Sequence, residues 1–356
     1  MIGTRKSAGQ PAYNLLDLIP EPAMTVKAAI AGTFSAEEWE LLRAVPDVEL
    51  VDLSVWGSWH PPAPPESEQY RALVAALPSQ LAGVEALLLM GPARPLVDCA
   101  PDLKWIQIPW AGLDQVAAAG VFERGIVVTN AKGLNARYVA EWALAAILAF
   151  AKNLPRYIRQ QPAKCWDRHP ALSLEEITVG IVGLGTIGSE LARRAQALGM
   201  RVIAIRRSGP AAPPPGVAWL GGPADLDRLL AEADVVVLTA PHTAETRGLI
   251  GARQLQTMKR SAYLVNVARG ALVDEEALAA ALREGVIAGA ALDVFQTEPL
   301  PPSSPLWDLD NVILTPHVSG SYEGHFHRVL RLFIANLERY IAGQPLLNVC
   351  DPEKGY

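Results

Sequence analysis

At 356 residues, half of them apolar, 19% charged and 6% aromatic, the chain is long enough to fill two hydrophobic cores, so two domains are expected. Its net charge of −6 excludes the basic balance that non-specific nucleic-acid binding needs. The three cysteines, Cys99, Cys165 and Cys350, have neither CxxC nor metal-type spacing, which argues against a disulfide framework and leaves incidental thiols in a reducing compartment.

Residues 1–24 lack the continuous apolar core of a signal peptide and read as a loosely ordered extension, with Met24 an alternative start. Five apolar runs follow, at 26–32, 48–55, 84–91, 103–108 and 125–130. Helical patterns or loops separate them, among them 35–45, which opens on the capping-box pair Ser35 and Glu38, and 66–77. Strands that are apolar throughout, alternating with helices, predict a parallel sheet covered on both faces.

A long helix is expected from about Ala136 to Leu154. Its most apolar run, 138–151, is too short to span a bilayer and contains Glu141. A second series of strands comes next, at 177–183, 201–207, 234–240, 262–268, 286–294 and 311–317. The Pro-rich segment 209–216 reads as a surface loop. A last helix is expected over roughly 322–341, stopping at Gly343, and no fixed-period repeat is present. The fold class is therefore α/β, with two doubly wound parallel-sheet lobes.

The run "GLGTIG" (183–188) follows an apolar strand and opens a helix, the setting in which GxGxxG binds a dinucleotide. Gly183 permits the tight turn, Gly185 lets the backbone approach a pyrophosphate, and Gly188 lets helix and strand pack closely. The helix starting near Thr186 directs its free amides and dipole at the phosphates. At the end of the next strand such sites usually carry an Asp or Glu for the adenosine ribose. Here Arg206 and Arg207 stand there, followed by Ser208, and no acidic residue occurs from Arg201 to Gly216. Two guanidiniums suit a ribose 2′-phosphate, so NADP(H) is the expected cofactor and NAD(H) the alternative. The plainer reading is two solvated arginines at a strand end.

Three further segments, "NVARGALVDEEAL" (266–278), "GAALDVFQTEPLP" (289–301) and "NVILTPHVSG" (311–320), complete the pattern. With them the chain resembles the D-isomer-specific 2-hydroxyacid dehydrogenases, the family of glyoxylate/hydroxypyruvate reductases, D-lactate dehydrogenases and phosphoglycerate dehydrogenases. The resemblance runs from about Lys104 to the C-terminus. It implies a Rossmann dinucleotide-binding domain (133–318) and a flavodoxin-like substrate domain (25–132, completed by 319–356).

By resemblance Arg269 is the substrate-binding arginine, Glu298 the acidic partner and His317 the general acid/base. The chemistry agrees: a planar guanidinium can clamp a 2-oxo acid's carboxylate and polarise its ketone. Histidine suits proton donation near neutrality, and a carboxylate beside it orients the ring. Taken singly, Arg269 reads equally as a helix cap, Glu298 as a solvated residue and His317 as a turn residue.

The resemblance also implies that Asp293 bonds the nicotinamide carboxamide and that Thr186, Ile187, Pro241, Val267 and Ala268 line the cofactor. It also places His242 near the cofactor, with Thr246 as the expected contact. Trp110, Ala111 and Gly112 form the substrate loop, and Trp110 departs from the small residue usual in the family. His325 and His327, at i and i+2, do not share a helical face, and no metal site is expected. The apolar 136–154 helix is expected to serve as a lobe connector and homodimer surface. The resulting expectation is a cytoplasmic enzyme that reduces a small 2-oxo acid with NADPH, with no nucleic-acid or membrane partner. The alternatives are NAD-linked oxidation of a D-2-hydroxy acid, as in phosphoglycerate dehydrogenases, and a nucleotide-sensing scaffold on the same fold.

Overall fold

The computed structural model describes residues 25–58, 61–110, 112–208 and 212–351. The extension 1–24 with its alternative start at Met24, and residue 111, lie outside them. The chain divides into two compact units. One runs up to Ala131 and resumes at Phe326, and the other covers Lys132–His325.

Among the described residues the first unit holds five strands: β1 (Val26–Ala31), β2 (Val48–Asp52), β3 (Ala86–Leu89), β4 (Trp105–Gln107) and β5 (Val127–Thr129). They pair in parallel in the order β2-β1-β3-β4-β5. The expected capping box at Ser35 and Glu38 is present and starts the helix Ala36–Arg43. The helix His325–Ile341 returns to this sheet, stacking Phe333 on Trp105 at 5.1 Å between ring centroids. A buried amide network closes the join: Asn336 donates to Gln107 Oε1 at 3.1 Å, and Leu347 N donates to Asn336 Oδ1 at 2.7 Å.

Among the described residues the second unit holds seven parallel strands: β6 (Thr178–Val182), β7 (Arg201–Ile205), β8 (Trp219–Gly221), β9 (Val235–Leu238), β10 (Tyr263–Asn266), β11 (Gly289–Leu292) and β12 (Val312–Leu314). Their order is β8-β7-β6-β9-β10-β11-β12, so the winding reverses between β6 and β9. In such sheets ligands bind outside the carboxyl ends of the strands at this switch point. Both units are thus doubly wound α/β layers.

Three elements differ from the sequence expectation. The helix expected to reach Leu154 ends at Ala151, because Asn153 takes a left-handed φ of 56° and a separate helix, Leu154–Gln160, begins after it. Half of Ala136–Ala151 is buried within its own unit, including Val139, Ala143, Ile147 and Phe150, which accounts for much of its apolar character. The last helix begins at His325, since Gly324 has a φ of 80°. Segment 319–325 stays with the second unit, where Tyr322 stacks on Tyr138 at 3.6 Å. Strand β8 is the third difference. Three residues long, it follows the Pro-rich loop, of which 209–211 lie outside the described residues and 212–216 are irregular.

Candidate active site

The glycine turn sits at the end of β6. Gly183 has a φ of 105°, and a Cβ there would lie 2.5 Å from Ala240 N, so a side chain is excluded on both counts. Gly183 and Leu184 both donate to Ile205 O, tying the turn to β7. Helix Thr186–Ala197 starts immediately after, with no side chain capping it. Its first amides therefore lack intrahelical partners. Nothing lies within 4 Å of an ideal Cβ on Gly185. Open space beside free amides at a helix start fits a pyrophosphate. Thr186, Ile187 and Gly188 occupy the first turn of this helix.

Arg206 is half-buried just past β7, its amide donating to Gly221 O at 3.1 Å, while Arg207 and Ser208 are exposed. The three residues present positive charge and a hydroxyl at the strand end where a ribose-binding carboxylate is usual. After β9, Pro241 begins a loop closed on itself. Thr246 Oγ1 donates to Pro241 O at 2.7 Å and accepts from Thr243 N at 2.7 Å. The Thr246 hydroxyl is thus engaged inside its own loop, and His242 beside it is half-buried. Val267 and Ala268 are buried after β10.

Arg269, Glu298 and His317 all lie on loops at carboxyl ends of strands β10, β11 and β12. His317 Nδ1 is 2.7 Å from Glu298 Oε2, and Glu298 Oε1 accepts from Phe295 N at 2.9 Å. Burial pushes the Glu298 carboxyl up. Hydrogen bonds from His317 and the Phe295 amide, with the charges of His317 and Arg269, outweigh it and hold the group below the usual carboxylate range. Glu298 is therefore an anion at neutral pH. Facing an anion, Nδ1 carries a proton, which leaves Nε2 as the ring's other working atom. Arg269 is half-buried, its guanidinium donating to Ala268 O at 2.7 Å. His317 itself has a φ of 53°, a left-handed conformation that costs a non-glycine residue about 1 kcal/mol or more.

Asp293 sits just past β11 and is fully buried. Oδ1 accepts from Thr315 Oγ1 at 2.5 Å and Val318 N at 2.8 Å, and Oδ2 from Ser319 N at 2.8 Å. Both oxygens are thus occupied by the loop that carries His317, which the sequence reading had not anticipated. Two more residues were missed. Asn266 accepts from Ala268 N and donates to Arg269 O at 3.0 Å, and Glu275 accepts from the amide of Gln296, two residues before Glu298. For Asn266 the signal available was a polar residue ending an apolar strand, "LVN"; Glu275, in "DEEAL", carried none.

In the first unit, Trp110 is half-buried against the core beneath it, and its carbonyl accepts from Ala131 N at 3.1 Å. Gly112 is half-buried, and Ala111 lies outside the described residues. His325 meets the edge of Tyr322, while His327 pairs with Glu38 at 3.1 Å. Among the described residues no group of three His, Cys, Asp or Glu is arranged to hold a metal, and no helix is long and apolar enough to cross a membrane.

A family model described as "D-isomer specific 2-hydroxyacid dehydrogenase, NAD binding domain" matches residues 144–319. A glyoxylate reductase of Korarchaeum cryptofilum is 39% identical over 267 residues, 72% of this chain and 78% of that protein. A D-3-phosphoglycerate dehydrogenase of Archaeoglobus fulgidus is 38% identical over 257 residues, 71% of this chain but 48% of the relative, so the chain spans about half that relative's length. Among solved structures, an NADPH-dependent glyoxylate/hydroxypyruvate reductase from Sinorhizobium meliloti, in complex with NADP and sulfate, superposes with a TM-score of 0.75. It is 27% identical and covers 93% of this chain and 100% of its own.

Proposed function

The chain belongs to the D-isomer specific 2-hydroxyacid dehydrogenase family, and on that premise we propose that it reduces a small 2-oxo acid of the glyoxylate or hydroxypyruvate type to the D-2-hydroxy acid, with NADPH as reductant. The observation that carries the reading is the 2.7 Å pairing of His317 Nδ1 with an ionised Glu298, close enough to Arg269 for its charge to act on the carboxylate. The nicotinamide, when bound, supplies a hydride to the carbonyl carbon. Arg269 binds the substrate carboxylate and polarises the ketone. The proton that completes the hydroxyl comes from His317 Nε2, while Glu298 keeps the ring oriented through Nδ1. Asn266 and Glu275 belong to the shell that supports these groups.

For the cofactor, the glycine turn Gly183–Gly188 suits the pyrophosphate, and Arg206, Arg207 and Ser208 suit a 2′-phosphate. By resemblance, the loop of Trp110, Ala111 and Gly112 receives the substrate carboxylate. Self-association is part of the reading. Leu154 and Ile158 are 47% and 67% exposed on the helix Leu154–Gln160, beside the apolar helix Ala136–Ala151. A second copy covering this surface makes a homodimer, which light scattering reads directly.

The test of function is a scan of 2-oxo acids with NADPH and NADH, following loss of reduced nicotinamide absorbance. Glyoxylate or hydroxypyruvate is expected to turn over faster with NADPH, and His317→Asn to remove that turnover. Absence of turnover on any 2-oxo acid, or a preference for NADH, defeats the corresponding half of the proposal.

A further inference from the structure

A histidine that delivers a proton to one substrate atom must be held to within a fraction of an ångström, yet His317 lies on an exposed loop in a strained backbone conformation. What opposes that strain lies underneath. Asp293 is fully buried, and its side chain and main chain together accept four hydrogen bonds from this loop. Thr315 Oγ1, Val318 N and Ser319 N bond the carboxyl oxygens, and His317 N donates to Asp293 O at 2.8 Å. The residues before and after His317 and its own amide are thus fixed to one residue. A buried carboxyl group with several donors is costly to disturb, because each lost partner leaves a desolvated polar atom.

The anchoring continues sideways. Asp293 N donates to Asn266 O at 3.1 Å, and the Asn266 side chain holds Ala268 N and Arg269 O. Asn266 is 1% exposed and ends the neighbouring strand. Two adjacent strand ends therefore carry one buried polar base, with the Arg269 loop on one side and the His317 loop on the other.

We propose that Asp293 is a positioning residue, which acts through the Thr315–Ser319 loop to hold His317 against Glu298, and through Asn266 fixes the spacing of His317 from Arg269. The inference rests on the proposed roles of His317 and Arg269. It assigns Asp293 work beyond the carboxamide contact that the family resemblance implies.

Asp293→Asn replaces one acceptor by a donor facing Val318 N or Ser319 N. Thr315→Val removes one hydroxyl while keeping the side chain's shape, and leaves Asp293 in place. Thr315→Ser restores the hydroxyl. The experiment measures kcat at saturating NADPH and glyoxylate, the Kd of NADPH by fluorescence, and the histidine ring N–H signals of 15N-labelled protein. The His317 Nδ1–H signal is identified by its loss in His317→Asn.

In Asp293→Asn kcat is expected to fall ten- to a hundredfold, the scale of a misplacement near 1 Å, and the Nδ1–H signal to vanish or move. Thr315→Val is expected to lower kcat several-fold with the NADPH Kd within threefold of wild type, and Thr315→Ser to stay within twofold of wild type in kcat. If Asp293→Asn fails to fold, Thr315→Val decides. Wild-type kcat and an unmoved Nδ1–H signal in Thr315→Val overturn the inference, as does an Asp293→Asn enzyme impaired only in NADPH Kd. Unimpaired turnover in His317→Asn instead overturns the functional reading, while the ring signal reports the positioning even without a substrate.

Discussion

The main chains of Gly270 and Phe295 touch so closely that a Cβ on residue 270 would lie 1.9 Å from the Phe295 carbonyl carbon. This contact sets the loop of Arg269 beside the turn whose Phe295 amide holds Glu298. A methyl group there cannot be absorbed by a side-chain rotation, because both obstacles are backbone. Gly270→Ala is therefore expected to cost about 1–3 kcal/mol or more of stability, as overpacking does, and to lower kcat/KM more than tenfold by parting Arg269 from Glu298. Thermal unfolding and steady-state kinetics check it. An unchanged Tm with full activity would show that the two loops do not depend on this contact.

Glu298 offers a titration with a determinate sign. Burial raises its carboxyl, and the His317 hydrogen bond, the Phe295 amide and the charges of His317 and Arg269 lower it to a net value below the ordinary range. In His317→Asn the imidazole hydrogen bond and charge go while the burial stays. The carboxyl of Glu298 is then expected to titrate at higher pH than in the wild type, measurable by 13C NMR of labelled glutamate. A group depressed on folding stabilises the fold above its unfolded value and loses that contribution as pH falls through its folded value. The acid-side loss from Glu298 is accordingly expected at higher pH in the variant. An unmoved carboxyl titration would contradict the pairing.

Much of this site was legible because its signals are local. An apolar strand, a glycine turn and a helix start lie within a dozen residues, and the arginines at 206 and 207 follow at the next strand end. The supporting residues were not legible, because their partners are remote in sequence. Asp293 bonds residues 22 to 26 positions away, and Glu275 braces Gln296 across 21. The break at Asn153 was hidden for another reason. A left-handed asparagine has no distinct local signature, whereas Gly343, which also takes a positive φ, does. Strand β8 was missed because it stands in a short apolar run, Val217–Leu220, directly after the Pro-rich loop and carries no helix or strand period of its own.

The proposed preference for NADPH rests on Arg206, the half-buried member of the arginine pair. A charge-assisted hydrogen bond to a phosphate oxygen contributes about 1.5–3 kcal/mol. Arg206→Asp is expected to lower kcat/KM with NADPH by at least about ten- to a hundredfold and to leave NADH within a few-fold. Equal losses with both cofactors would make Arg206 a structural residue of the strand end.

Acid stability has a separate source in the second unit. Glu190 accepts from Arg193 and Arg194, and Arg194 also reaches Glu141 on the helix Ala136–Ala151 at 3.1 Å. The hydrogen bonds from the two arginines, against a smaller opposing effect of burial, bring the Glu190 carboxyl down to about 2. Its contribution is present above the ordinary glutamate value and fades as pH falls toward 2. Glu190→Gln is expected to lower stability by about 0.5–1 kcal/mol at pH 7, and the Tm gap from wild type to narrow below about pH 4. A gap that is constant down to pH 3 would place the effect elsewhere.

Trp110 joins packing to the proposed substrate volume. Its side chain packs against the core of the first unit while the residue stays partly exposed. That packing predicts a loss of stability on truncation, because buried apolar area returns to water. The residue also belongs to the loop proposed to receive the substrate carboxylate, where an indole takes up room that a longer acyl tail needs. Trp110→Gly is expected to lower Tm and also to raise kcat/KM for a bulky 2-oxo acid relative to glyoxylate. At about 0.8 kcal/mol per buried methylene, a four-carbon tail gains roughly a hundredfold in that ratio. Trp110→Phe retains most of the packing and is expected to restore Tm with a smaller gain. The ratio separates the two roles: a fall in Tm with an unmoved ratio in both variants leaves Trp110 a packing residue and takes it out of the substrate site.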